Sequence, residues 1–226
     1  MSYESFSKAV TLARMAETCN SLEMKDAQAA FDGDEDAAFS LSISLSNGMC
    51  GAVAVAMWRA KVKREAFRRF FSSVWSHEHR SVIAAAQTRR TLSYMFRYAA
   101  FPLPTDMPDT VTVWRGSSYL PFNDAKKGYS WSTDRDLACW FAMRFADFNG
   151  SPIVLTADIA KGDIALFDNE RNESEAVLMR PPAARVDGDV NDWTACFLRT
   201  QDGMHRTLKE LITKPHKPDS FSLASD

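Results

Sequence analysis

What this sequence lacks narrows it first. No apolar run approaches the roughly 20 residues that a membrane-spanning helix needs; the longest, MCGAVAVAMW at 49–58, is far shorter. No basic segment leads into an apolar stretch at the N-terminus. The expectation is therefore a soluble chain without a cleaved signal peptide, cytoplasmic or delivered into a host cytoplasm, with no membrane partner. The four cysteines, Cys19, Cys50, Cys139 and Cys196, show no C-x-x-C spacing. That argues against a zinc site or a disulfide framework and for free thiols in a reducing compartment. His77 and His79 are too close in sequence to share a helix face as metal ligands, and the DGDED stretch lacks the spaced glutamate of a calcium loop, so no metal is expected. There is no G-x-G-x-x-G and no Walker loop. A net charge of −2 supplies no global field to draw in a polyanion.

Proline and glycine are absent from Ala52 to Ala100, and that absence divides the chain. Helical periodicity dominates before residue 100, as in the stripe Phe6, Ala9, Val10, Ala13 and Ala16. FPLPTDMPDT then packs three prolines into ten residues and ends the helical half. Beyond it the segments TVTVWRGS, PIVLTADI, EAVLMR and ACFLRT read as strands. One helix interrupts them, with Asp134 as N-cap and Leu137, Ala138, Phe141, Ala142 and Phe145 on its inner face. The expected architecture is α+β: a helical N-terminal region (1–104) packed on a small, mixed, mostly antiparallel sheet (105–215), with a polar tail (216–226), together one compact unit.

From Met57 to Ala100 ten Lys/Arg face two acids, Glu65 and Glu78, with Phe67, Phe70, Phe71, Trp75, Tyr94 and Phe96 interleaved. Two readings stand. The basic residues from Arg59 to Arg97 form a surface for an acidic or nucleic-acid partner. Alternatively they are solvated helix faces whose aromatics fill the core.

Three short segments of the second half carry chemistry. TVTVWRGSS sets Arg115 on a strand face with Val111 and Val113, where a cation is costly without an anion. GYSWSTDRD places Ser130, Ser132 and Thr133 just ahead of a helix N-terminus. NESEAVLM puts Glu173 and Glu175 two positions apart, on one face of a strand, where two carboxylates repel. Each alone has a plain explanation: a satisfied arginine, a helix cap, a wet strand end.

In this order the three segments resemble the arginine–serine–glutamate class of mono-ADP-ribosyltransferases. Trp114-Arg115-Gly116 matches that family's aromatic-Arg-Gly strand. GYSWSTD matches its serine motif, with Asp134 where a second serine is common, and ESEAVLM matches its Glu-x-Glu strand. Ser130 and Ser132 both fit the motif serine; Ser132 is preferred for its adjacency to Thr133 and its place before the helix. The resemblance covers residues 110–200.

It implies an ADP-ribosyltransferase-type sheet and an enzyme that uses NAD as substrate, releases nicotinamide and passes ADP-ribose to a host protein, on arginine because the first acid of the pair is Glu. A phage protein, a bacterial effector or a toxin moiety suits such a chain. Breaking the nicotinamide–ribose bond builds positive charge on the ribose, as in glycoside hydrolysis. The resemblance then assigns Glu175 to the ribose 2-hydroxyl and its cation, Ser132 to orienting that carboxylate, and Glu173 to the incoming nucleophile. It assigns Arg115 to the diphosphate, with Gly116 and Thr133 beside it and Phe148 stacked on nicotinamide. The same site could serve nucleic acid or water as acceptor, or be kept in a catalytically inactive binding module.

Overall fold

Local capping chemistry sets the N-terminal helices. Helix α1 covers Tyr3–Met15 and α2 Ser21–Asp32. Asn20 caps α2 by accepting from the Leu22 and Glu23 N–H groups at 2.9 and 3.0 Å, while Glu23 reaches back to the Asn20 N–H at 2.7 Å. This reciprocal arrangement satisfies donors that the first turn leaves open. Gly33, at φ 101°, ends α2 in the left-handed region that glycine enters without penalty. Asp34 at once caps α3 (Glu35–Ser44), so the acidic DGDED stretch is a helix–helix joint. Helices α4 (Asn47–Arg59), α5 (Arg64–Ala86) and α6 (Arg89–Ala99) follow, α5 being kinked at Glu78. Helix α4 meets α5 backbone to backbone: a Cβ on Gly51 would stand 2.1 Å from the Ser81 carbonyl oxygen.

The computed structural model describes residues 3–17, 19–169 and 174–200. They divide into two units. The first holds residues up to 109 together with 160–167 and 176–180; the second holds 110–159, 168–169, 174–175 and 181–200. The division expected near 104/105 thus falls at 109/110, and two pieces of the β-rich half belong with the helices. The hydrogen bonds give the reason. Lys161 donates through its ammonium to the Pro104 and Met107 carbonyls and through its backbone to Asp109, and Arg89 donates to the Met179 carbonyl at 3.2 Å. The tail expected at 216–226 lies outside the described residues.

In the first unit the aromatics of α5 and α6 are the core. Phe67, Phe70, Phe71, Trp75 and Phe96 are all at most 2% exposed, and Phe71 packs on Phe96 with ring centroids 4.8 Å apart. Each such ring contributes about 1.5–3 kcal/mol by leaving water. The basic side chains between them, Arg59, Lys61, Lys63, Arg64, Arg69, Arg80, Arg90 and Arg97, are exposed. The aromatic part of the two readings above therefore resolves to core, with Tyr94, 38% exposed, as the exception.

The second unit is built on strand β1 (Thr110–Ser117). A short helix α7 (Phe122–Ala125), strand β2 (Ser130–Ser132), helices α8 (Arg135–Met143) and α9 (Ala146–Asn149), and strand β3 (Ile153–Ala160) follow. Strands β4 (Ile164–Asp168) and β5 (Glu175–Leu178) are neighbours, and β6 is Arg185–Val186. Within the second unit the order is β2-β1-β3-β6, with antiparallel pairing of β1 to β2 and of β3 to β6. The class is α+β.

Asp134 caps α8 as expected, accepting from Asp136 and Leu137. The inner face differs from the expected stripe: Leu137, Ala138, Cys139 and Ala142 are buried, while Phe145 is 48% exposed. Small residues face inward because β1 lies against the helix backbone. A Cβ on Gly116 would stand 1.8 Å from the Ala138 carbonyl oxygen. The segment ACFLRT, expected as a strand, lies in a helix over 190–200, α10. Asp189 caps it by accepting from Asn191 at 2.8 Å and Asp192 at 3.2 Å, and Trp193 and Cys196 bury their i, i+3 face against Ala138, Cys139 and Ala142.

Candidate active site

Strand alternation sorts the candidate residues before any chemistry is considered. Trp114 packs with the α8 cluster and Gly116 touches α8 itself, so both face that helix. Arg115, between them, projects to the opposite face. There its guanidinium is enclosed by the turn over 125–130. Nε donates to the Ala125 carbonyl at 2.9 Å and Nη1 donates to the Ser130 carbonyl. The planar group lies over Gly128, where a Cβ would stand 2.0 Å from Cζ. Burial holds the Arg115 pKa below the usual arginine value, while the Tyr119 phenol and then the Glu175 carboxylate pull it back up. Glu175 is thus close enough for its charge to be felt at Arg115.

The serine segment lies just ahead of α8, in strand β2 and the residue after it. Ser132 lies directly across from Trp114 in the β1–β2 register, so its side chain shares the α8 face and not the face of Arg115. It is 7% exposed, and its Oγ accepts from the Asp134 N–H at 3.0 Å, a bond that shapes the approach to α8. What joins this segment to Arg115 is main chain, through the Ser130 carbonyl. Ser130 and Ser132 have the same strand parity, so alternation does not separate them. Thr133 lies one residue on and joins the glutamate segment: its N–H donates to the Ser174 carbonyl at 2.9 Å.

Ser174 presents Glu175 in an unusual way. Its φ is 45°, in the left-handed region, and it is not glycine. Asn169 holds it there, its Oδ1 accepting from both the N–H and the hydroxyl of Ser174 at 3.1 Å. Glu175 opens β5 half-buried, and Ala176, Val177 and Leu178 behind it are buried. Glu173 lies outside the described residues. Phe148, on α9, is 88% exposed and stacks on no ring among the described residues.

Three contributors were not singled out from sequence. Gly128 was visible as the glycine ahead of Tyr129 and Ser130, but nothing in the string says that a guanidinium lies on it. Ala125 acts through its carbonyl, which no side-chain pattern marks. Asn169 had a faint signal, an amide in a polar loop just ahead of the acidic pair.

The geometry fits an anionic substrate in one respect: a half-buried cation and a carboxylate lie within electrostatic reach on adjoining parts of one unit. Among the described residues, no group of three or more His, Cys, Asp or Glu gathers to hold a metal ion. No family model matches the chain, and neither a curated protein nor a solved structure matches it.

Proposed function

We propose that this chain is an NAD-dependent mono-ADP-ribosyltransferase acting on a protein, with arginine as acceptor. The observation that carries the reading is the Arg115–Glu175 relation: a half-buried guanidinium, seated on the Ala125 and Ser130 carbonyls, that feels the charge of Tyr119 and then of Glu175, the first residue of an apolar strand. The sequence order Arg115, Ser132-Thr133, Glu173-x-Glu175 supports it. In this reading Glu175 faces the cation that develops on the ribose as nicotinamide leaves, an interaction stronger in the transition state than in the ground state. Arg115 offers the remaining N–H groups of Nη1 and Nη2 to the diphosphate, since Nε already bonds Ala125. Ser132 acts through the backbone turn that it shapes, and Glu173 prepares the acceptor.

A second reading draws on one observation. Two donor groups of Arg115 already bond carbonyl oxygens, as they would in a catalytically silent binding module that keeps the arginine for structure. One experiment separates the two. The purified chain is incubated with adenylate-labelled NAD and a lysate, and released nicotinamide is measured beside labelled protein. Release that is lost in Glu175→Gln supports the transferase. No release and no label from wild type overturns it and leaves the binding module.

A further inference from the structure

Helix α6 presents two faces. Leu92, Met95, Phe96 and Ala99 are buried. Arg89, Arg90, Ser93, Tyr94 and Arg97 recur at helical spacing on another face and, with Met179 and Arg180, line an open cavity of about 320 Å³. The cavity belongs wholly to the first unit. Four arginines therefore line one small volume, and no residue lining it is acidic.

Like charges so gathered repel, and a merely solvated face would let them spread. Here neutral groups hold three of them in place. Arg90 donates through Nε to the Tyr94 hydroxyl at 3.0 Å, and Arg97 lies over the Tyr94 ring at 5.2 Å. Arg89 donates to the Met179 carbonyl at 3.2 Å. Among the described residues no carboxylate forms an ion pair with Arg90, Arg97 or Arg180. Arg90 and Arg97 are thus held by neutral Tyr94 with no carboxylate paired to them, the condition for a preorganised anion site.

The geometry points to a phosphate-ester site: this pocket takes the phosphoryl group of a free nucleotide or of a single-stranded nucleic-acid backbone. Several arginines lining one small cavity suit a compact polyanion with three or four oxygens. An acidic peptide spreads its carboxylates along an extended chain, about 6–7 Å between those on one face, and does not focus them on one cavity. The volume is at the small end of ligand pockets, enough for a phosphoryl group with part of its nucleoside. This inference is independent of the transferase reading.

The test uses the full chain and four probes: inorganic pyrophosphate, adenosine monophosphate, a ten-residue oligothymidylate and polyglutamate, titrated at low salt and again at about 200 mM salt. Arg90→Glu/Arg97→Glu is compared with Arg59→Glu/Lys63→Glu, which reverses exposed charges outside the cavity. Arg90→Gln/Arg97→Gln keeps the test valid if the reversal impairs folding, with circular dichroism reporting the fold of each. The expected result is saturable binding of the phosphate probes, weakened about tenfold or more by either substitution pair at 90 and 97 and unchanged by Arg59→Glu/Lys63→Glu. Oligothymidylate affinity that falls steeply with salt while the monophosphate binds weakly identifies the nucleic-acid source; equal affinities identify the nucleotide. Polyglutamate binding as tightly as the phosphates, or phosphate binding indifferent to residues 90 and 97, overturns the inference.

Discussion

Gly128→Ala is the sharpest perturbation of the site, because one methyl group tests the seat of Arg115. A Cβ there would stand 2.0 Å from Cζ, 2.2 Å from Nη2 and 2.3 Å from Nε. The obstructing atoms end a flexible side chain, which could normally swing aside at little cost. Here the guanidinium is pinned by the Ala125 and Ser130 carbonyls, so moving it breaks bonds made by a charged donor. Each is worth about 1.5–3 kcal/mol, so re-seating with the loss of one costs about 2 kcal/mol and the loss of both about twice that. For a chain of this length, 2 kcal/mol lowers the melting temperature by roughly 4–8 °C. Gly128 does not sit at positive φ, so alanine carries no backbone penalty of its own there. In an Arg115→Ala background the clash is gone, and Gly128→Ala should be neutral or stabilising by about 0.4–1 kcal/mol. Thermal and denaturant melts of the wild type, both single variants and the double variant close the cycle, with an expected coupling of about 2–3 kcal/mol. If Gly128→Ala costs as much without Arg115 as with it, the guanidinium is not seated on that glycine, and the account of the site fails.

Gly116→Ala meets backbone, the Ala138 carbonyl oxygen at 1.8 Å, and no side-chain substitution rescues it; the second unit should lose stability by more than Gly128→Ala costs, read from the same melts. Ser174→Gly relieves a left-handed φ but gives up the hydroxyl bond to Asn169, so stability should change by less than about 1 kcal/mol, while Asn169→Ala removes the acceptor for both bonds and should cost about 1–3 kcal/mol and lower nicotinamide release; an Asn169→Ala variant with wild-type melting would remove that role. The Cys139 thiol is pushed up to about 12, by burial first and by neighbouring Cys196 second. The folded chain keeps this proton after an unfolded thiol, near 9, has lost it, so the stabilisation is complete below pH 9 and is lost as pH rises toward 12, by about 1.4 kcal/mol per unit. Denaturant melts from pH 8 to 11 should show that slope, and Cys139→Ala should flatten it. Glu175→Gln should lower nicotinamide release by about 10²–10³ in assays run well below its melting temperature, where the chain is folded, as befits a charge that acts in the transition state.

The elements legible in the string were those with strong local chemistry. Asp134 as the cap of α8, the alternation of β1, and the apolar run behind Glu175 all declare themselves within a few residues. ACFLRT did not, because a short apolar segment fits either a strand or a helix period. Only the Asp189 cap together with the burial of Trp193 and Cys196 decides it. The site was half legible for a related reason. Arg115 as a cation in need of partners could be inferred from its apolar neighbours, but the partners are carbonyls, which every residue carries. The opposite facing of Arg115 and Ser132 follows from a single register pair, Trp114 with Ser132, and register is a non-local fact.

The way residues 160–167 and 176–180 belong with the helices has a consequence for synthesis. The chain passes between its two units five times before residue 200, so neither unit is a continuous length of polypeptide. The helical unit cannot be completed as it leaves the ribosome. Its own last pieces arrive roughly 70 residues after Asp109, a wait of about 4–14 s at ordinary elongation rates. During that wait the surfaces that later hold Ile164, Leu166 and Ala176–Leu178 have no partner, so that interval is when the nascent chain is most exposed to chaperones. A fragment ending near residue 105, or beginning there, should inherit this unfinished state permanently and aggregate where the whole chain does not.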